Sequence, residues 1–467
     1  MKTWILAFRN LRRNRRRSST TLLAMVIGLT AVLLFGGYAR NINYGLQTSF
    51  VRDSGHLQIQ RRGYFLYGSG DPVSYAIADY TRIVDAVRDD PQLRSMITVV
   101  TPVLAVNGIA GNFAAGVSRT VFGSGIVADE QSRMRQWNDY GFPTQPEPLA
   151  LASTPPNAAV IGTGVARVLH LCASLKVRGC TDPQPIPGPS TQPAASDDVV
   201  RLAAAEALSL HADKTTAPAA HIQLLTSNAY GAPNVADLRV VAARKQGVKA
   251  VDDMFVQLHL AQAQRLVYGG GQPRVTSIVV QLRHTADMRR ARERLLAVLR
   301  RTPGGDALDV LDFGTLNPQY GQITGMFGAV FGFIALLIAT VVMFTVGNTM
   351  NMAVMERTRE IGTLRAIGVR DAAVSRIFVS EGFLLGLCGA LFGTLLALGG
   401  AALINHAGLH WVPPGQTDSV ALTVRVWGEN AMIVRNALGI WLVATVSAWF
   451  PARRAARMPI VEALRFS

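Results

Sequence analysis

Apolar and uncharged residues fill positions 18–39 without a break between Arg17 and Arg40. A helix of that length spans about 33 Å at 1.5 Å per residue, close to the depth of a bilayer's hydrocarbon core. A cleaved signal peptide would need a shorter apolar run and a small-residue cleavage site, and the exit "GGYARN" favours a retained span. Three more such runs follow. "ITGMFGAVFGFIALLIATVVMFTVGNTM" supplies a span at 320–350, "GFLLGLCGALFGTLLALGGAALINHAGLHW" one at 377–405, and "AMIVRNALGIWLVATVSAWF" one at 431–450. The last is the weakest, because Arg435 interrupts it near one end, where a long side chain snorkels to the headgroups.

Over 40–319 the pattern turns mixed and soluble. "GHLQIQRRG", "ITVVTPVLAV", "HIQLLTSN", "LRVVAAR" and "TSIVVQLRH" predict short strands bounded by Gly, Pro or Asn. "DYTRIVDAVRDD" predicts a helix ended by Pro91, and "TADMRRARERLLAVLRR" another, with Thr285 as N-cap and Pro303 as stop. The expected fold is an α-helical membrane domain of four transmembrane helices, with a large α+β domain of two subdomains inserted between helices 1 and 2. The stretch 172–199 is Pro/Ser-rich and is expected to be an exposed loop.

Charge sets the orientation. Charged residues make up only 16% of the chain, against about 25% in soluble proteins, yet the net charge is +16 and mostly arginine. Arginines crowd 1–17, 351–376 and 451–467, whereas the segment 406–430 has little beyond Arg425. The positive-inside rule then puts those three segments and both termini in the cytoplasm. The insert and 406–430 are then expected on the opposite side of the membrane. Juxtamembrane arginines meet lipid headgroups rather than forming an aromatic-interleaved patch, which argues against nucleic acid.

Candidate chemistry is sparse. No GxxxxGK[ST] loop occurs; "YGGGQP" reads as a turn before a strand, and "VIGTGVARVL" has the GxG of a dinucleotide fingerprint without its third glycine. His406 and His410 have i, i+4 spacing but no carboxylate or cysteine companion, so no metal site is expected. No nucleophile stands beside a base. The chain is therefore expected to be no enzyme and to bind no cofactor itself. Cys172 and Cys180 form a disulfide if their stretch faces an oxidising compartment, and are otherwise two thiols. The pairs Gly328/Gly332, Gly382/Gly386 and Gly389/Gly393 suit close helix packing, within one chain or between two.

The most charged stretch between spans is "NMAVMERTREIGTLRAIGVR". Glu356 with Arg359 and Arg357 with Glu360 support a helix, Gly368 can end it, and Asp371 can cap the next one. Ile361, Leu364 and Ile367 share a sector with Arg357 and Glu360, a mixture suited to a groove on another protein, or else to a solvated connector.

This stretch resembles the signature loop of the MacB/LolC/LolE/FtsX permease superfamily, the type VII ABC transporters. "LAFRNLRRNRRRSSTTLLAMVIGL" and "FPARRAARMPIVEALRF" are similar to that family's two ends. "LLTSNAYGAPNVADLRVVAARKQGVKAVDDMFVQLHLAQAQRLV" resembles its periplasmic domain, nearest the lipoprotein-release type. The resemblance implies a bacterial inner-membrane permease that pairs with a second permease, as homodimer or heterodimer. A separate cytoplasmic ATPase dimer would hold ATP and Mg. It also implies a coupling helix docked on that ATPase, here Met355, Glu356, Arg357, Arg359, Glu360, Ile361, Leu364, Arg365, Ile367 and Gly368. Mechanical transmission would then act on lipoproteins, lipids, drugs or peptides, with a periplasmic partner or membrane fusion protein. Relatives of the cell-division type only signal.

Overall fold

Helices do not stop where hydropathy does. The computed structural model describes residue 9 and residues 15–142, 148–183, 220–412 and 419–459. Its principal helices are α1 (Arg15–Ser54), α2 (Tyr80–Asp89), α3 (Pro91–Met96), α4 (Thr163–Val168), α5 (Leu260–Tyr268), α6 (Met288–Arg301), α7 (Pro318–Glu356), α8 (Thr358–Ala366), α9 (Asp371–Ala407) and α10 (Asn430–Ala456). The four apolar runs lie in α1, α7, α9 and α10, which are long and apolar enough to cross a membrane. Each outruns its expected span: 18–39, 320–350, 377–405 and 431–450 mark lipid depth, whereas polar residues prolong the hydrogen-bonded ladder at no cost. The basic segment 1–17 and the stretches 172–199 and 451–467 lie partly outside the described residues.

The chain divides into two units, one comprising 1–46, 319–411 and 420–467, the other 47–318 and 412–419. In the first, Met25, Leu29 and Leu33 of α1 meet Val342, Val346 and Met350 of α7, with Leu385 and Ala397 of α9 and Ala444 and Ala448 of α10. Glycines let α9 sit between two neighbours. A Cβ on Gly382 would lie 2.3 Å from Ala448 Cβ, and one on Gly386 3.1 Å from Ala444 Cβ, both on α10. Gly389 and Gly393 face α1, at 3.0 Å from Met25 and 2.9 Å from Leu29. Those four serve packing within the chain, whereas Gly328 and Gly332 open onto empty space. Between α9 and α10, a two-residue ladder pairs His410–Trp411 with Val420–Ala421. Because α9 ends at Ala407, His406 and His410 do not share a helical face.

Among its described residues the other unit holds nine strands: β1 (Leu57–Arg61), β2 (Ile97–Asn112), β3 (Val117–Ile126), β4 (Ala158–Gly162), β5 (His221–Ser227), β6 (Pro233–Arg244), β7 (Phe255–His259), β8 (Ser277–Leu282) and β9 (Leu308–Asp312). Two parts were expected, and the long β2 belongs to both. Its first half pairs with β8, which leads through β1 to β9. Its second half pairs with β3 and β5, and the order β3-β7-β4-β6-β5-β2 closes a ring because β2 also meets β3. Strand β5 alternates buried Ile222 and Leu224 with exposed neighbours, the period-2 signature of a half-buried strand. Among the described residues these strands form one nine-stranded sheet over one principal core.

Two expected helix ends are corrected. Pro91 does not simply end α2; it opens α3, with Asp90 as N-cap accepting from the amides of Gln92 and Leu93. Thr285 caps nothing with its side chain; it opens a 3-10 turn before α6, and Asp139 Oδ2 accepts its amide at 3.1 Å. Its hydroxyl lies 3.2 Å from Nε2 of His56.

His56 is fully buried, accepts the Leu282 amide on Nδ1 at 3.0 Å, and meets the Trp137 ring edge to face at 5.0 Å. Burial pushes its pKa down to about 4. The unfolded chain takes up a proton near pH 6.5 that the folded protein refuses until about pH 4, so stability is whole above pH 6.5 and falls with acid. Over that window the loss is about 3 kcal/mol. Unfolding followed by circular dichroism from pH 7.5 to 4.5 should show this slope, and His56→Gln should flatten it.

Candidate functional site

Helix α7 breaks at Arg357 (φ −111°, ψ 14°), and α8 starts one residue later. The break is held on its inner side. Arg357 donates from Nη1 to Glu381 Oε1 of α9 at 2.9 Å, and both side chains are nearly buried. Glu356 pairs with Arg17 of α1 at 2.8 Å. Ile361 is 3% exposed and packs with Val354, Val374, Phe378 and Ala455. Arg365 donates to the carbonyl of Met458 and pairs with Asp371 at 3.2 Å. The helix closes at Gly368 (φ +89°), whose amide bonds Arg365 O while Val369 bonds Leu364 O. That left-handed position suits glycine.

The outer side carries Met355, Arg359, Glu360, Leu364 and Ile367, and Ile367 is 73% exposed. Three expectations change. Ile361 faces inward and is no anchor for a partner, because tertiary packing against α9 and α10 outranks the shared helical sector. Glu356 and Arg357 bond to α1 and α9, since the helix breaks between them and Arg359. Asp371 does not cap α9 with its side chain; it is the helix's first residue, and Arg370 stands at the N-cap.

Elsewhere, the GxG of "VIGTGVARVL" holds a protein carboxylate. Gly162 ends β4, and the amides of Thr163 and Gly164, opening α4, each donate to Asp252 at 2.9 Å. A helix N-terminus attracts an anion, and here the chain supplies its own. Among the described residues no group of His, Cys, Asp or Glu could hold a metal ion. Cys172 and Cys180 are joined in a disulfide with Cα atoms 5.5 Å apart. Burial of the tyrosine in the α5 turn pushes the Tyr268 pKa up to about 12.

Four helices long and apolar enough to cross a membrane, with a strand-rich insert between the first two, define the class as a polytopic membrane protein. Comparison with known proteins agrees. Residues 332–460 match the FtsX-like permease C-terminal domain, and residues 18–179 the MacB-like periplasmic core domain. The chain thus carries an FtsX-like permease domain and a MacB-like periplasmic core domain, consistent with the MacB/LolC/FtsX group of ABC transporter permeases. It is 30% identical to the lipoprotein-releasing system transmembrane protein LolC of Neisseria meningitidis, over 50% of this chain and 56% of that one. An ABC transporter permease of Methanocaldococcus jannaschii is 28% identical over 49% and 54%. The macrolide export ATP-binding/permease protein MacB of Bdellovibrio bacteriovorus is 26% identical over 42% and 29%. The chain thus spans about half the length, or less, of these relatives. A weaker likeness, TM-score 0.32 at 13% identity, links 58% of this chain to 94% of the periplasmic region of MacB from Actinobacillus actinomycetemcomitans.

Proposed function

We propose that this chain is the transmembrane subunit of an ABC transporter, driven by a separate cytoplasmic ATPase dimer that binds ATP and Mg. The ATPase docks on α8, and its motion passes through the long helices to the periplasmic unit, where a lipoprotein, lipid or other amphipathic substrate is moved. A second permease, identical or related, completes the assembly. One observation carries this reading: α8 is fixed inside by Arg357, Ile361 and Arg365 while its outer side leaves Leu364 and Ile367 exposed among charges. Exposed apolar anchors beside charges suit a protein groove, with the charges setting register. Force on α8 would reach α9 through the Arg357–Glu381 pair and α10 through Ile361 and Arg365.

The test is co-purification with the ATPase. Reversing Arg359→Glu and Glu360→Arg should weaken association by about tenfold while melting stays unchanged, since both side chains are exposed. Undiminished co-purification would remove α8 as the docking element.

A further inference from the structure

A groove of about 880 Å³ runs between the later halves of α7 and α10. Its walls start apolar, with Met343 and Phe344 on one helix and Leu442 and Val446 on the other. Both then turn polar in the same direction, to Asn348 and Asn351 on α7 and to Arg453, Arg454 and Arg457 on α10. Arg453 lies over the Trp449 ring, 5.2 Å from its centroid. No acidic side chain lines the groove among the described residues. Guanidiniums and amides at one end of an apolar trough suit a phosphate with acyl chains attached.

We propose that this groove binds one anionic phospholipid from the leaflet that meets the arginine-bearing helix ends. The phosphate sits among Arg454, Arg457 and Asn351, and an acyl chain lies along Phe344 and Val446. A generic basic surface would hold such lipids loosely; a trough that also takes an acyl chain holds one through purification. The site requires only that α7 and α10 span a membrane, and is independent of ATPase docking.

The experiment uses the full chain, purified in detergent, stripped of lipid, and offered phosphatidylglycerol or phosphatidylcholine. Retained lipid is counted by native mass spectrometry. The parent chain should keep one phosphatidylglycerol and little phosphatidylcholine. Arg454→Gln with Arg457→Gln should cut retention by about tenfold or more, whereas Arg370→Gln with Arg376→Gln, equal in charge but off the groove, should not. Gly347→Leu is the second arm. Gly347 lines the trough from α7 with nothing within 4 Å of where its Cβ would stand, so leucine enters the groove from the wall opposite the arginines and leaves both in place. It should abolish retention in a chain that melts as the parent does. Equal retention of both lipids, equal loss in both arginine pairs, or full retention by Gly347→Leu would each overturn the site. So would conversion of a dimer to a monomer by Gly347→Leu with lipid retained, which would give the groove to a second copy.

Discussion

Replacing Glu381 with alanine is expected to destabilise the helical unit by about 3–5 kcal/mol, the cost of leaving a buried charge unpaired. Glu381 is 2% exposed and receives Arg357 Nη1 at 2.9 Å. The side chains are 12% and 3% exposed, so water cannot take over the partner's role. Glu381→Gln keeps an acceptor and should cost less. Arg357→Met with Glu381→Leu removes both charges and should recover most of the loss, because well-packed apolar pairs often match buried ion pairs in stability. Thermal unfolding of the full chain in detergent measures all three. An unchanged melting temperature for Glu381→Ala would mean that the pair does not hold α8 to α9. If the pair also carries force, the apolar double variant should bind the ATPase normally yet transport poorly.

Replacing Asp252 with alanine should cost the strand-bearing unit about as much, roughly 3–5 kcal/mol, by orphaning three backbone donors. Its carboxylate accepts from Thr163 and Gly164 at 2.9 Å and from Gln246 at 3.3 Å, and the residue is 4% exposed. Asp252→Asn retains one acceptor oxygen and should fall between. Substituting Gly162 tests the same place from the other side: a Cβ there would stand 2.0 Å from the Asp252 carbonyl oxygen, which cannot yield as a flexible side chain would. Gly162→Ala is therefore expected to be as damaging as the loss of the carboxylate. Chemical denaturation of the parent and variants gives the ranking, and wild-type stability in Gly162→Ala would refute the close approach.

The Gly-x-Gly segment shows where a local pattern stops being informative. Two glycines before a short helix imply an anion at its N-terminus, and an anion is there. Which anion depends on Asp252, ninety positions downstream of Gly162. Strand β3 is absent from the predicted strands for a related reason: two glycines interrupt "VSRTVFGSGI", yet β2 and β7 pair with its two edges. A Cβ on Gly123 would fall 1.9 Å from the Val256 carbonyl oxygen, so the residue that weakens the strand signal admits the neighbouring strand. Strand β4 is buried along its whole length and so shows no alternation, and β7 runs straight into α5 with no turn residue to bound it, so neither reads as a bounded alternating run.

Other features were legible early. The four spans, the charged connector and its glycine stop each follow from free energies that a residue carries wherever the chain takes it: transfer of side chains into lipid, and the left-handed backbone that glycine tolerates at Gly368. The sequence by itself therefore determined how often the chain can cross a bilayer and where its soluble insert lies. Only the tertiary structure decided that Ile361 turns inward, that Arg357 reaches Glu381, that four of the six glycines serve contacts within the chain, and that six strands close into a ring. Those outcomes depend on pairs of residues far apart in sequence, whose energies exist only once both have been brought together.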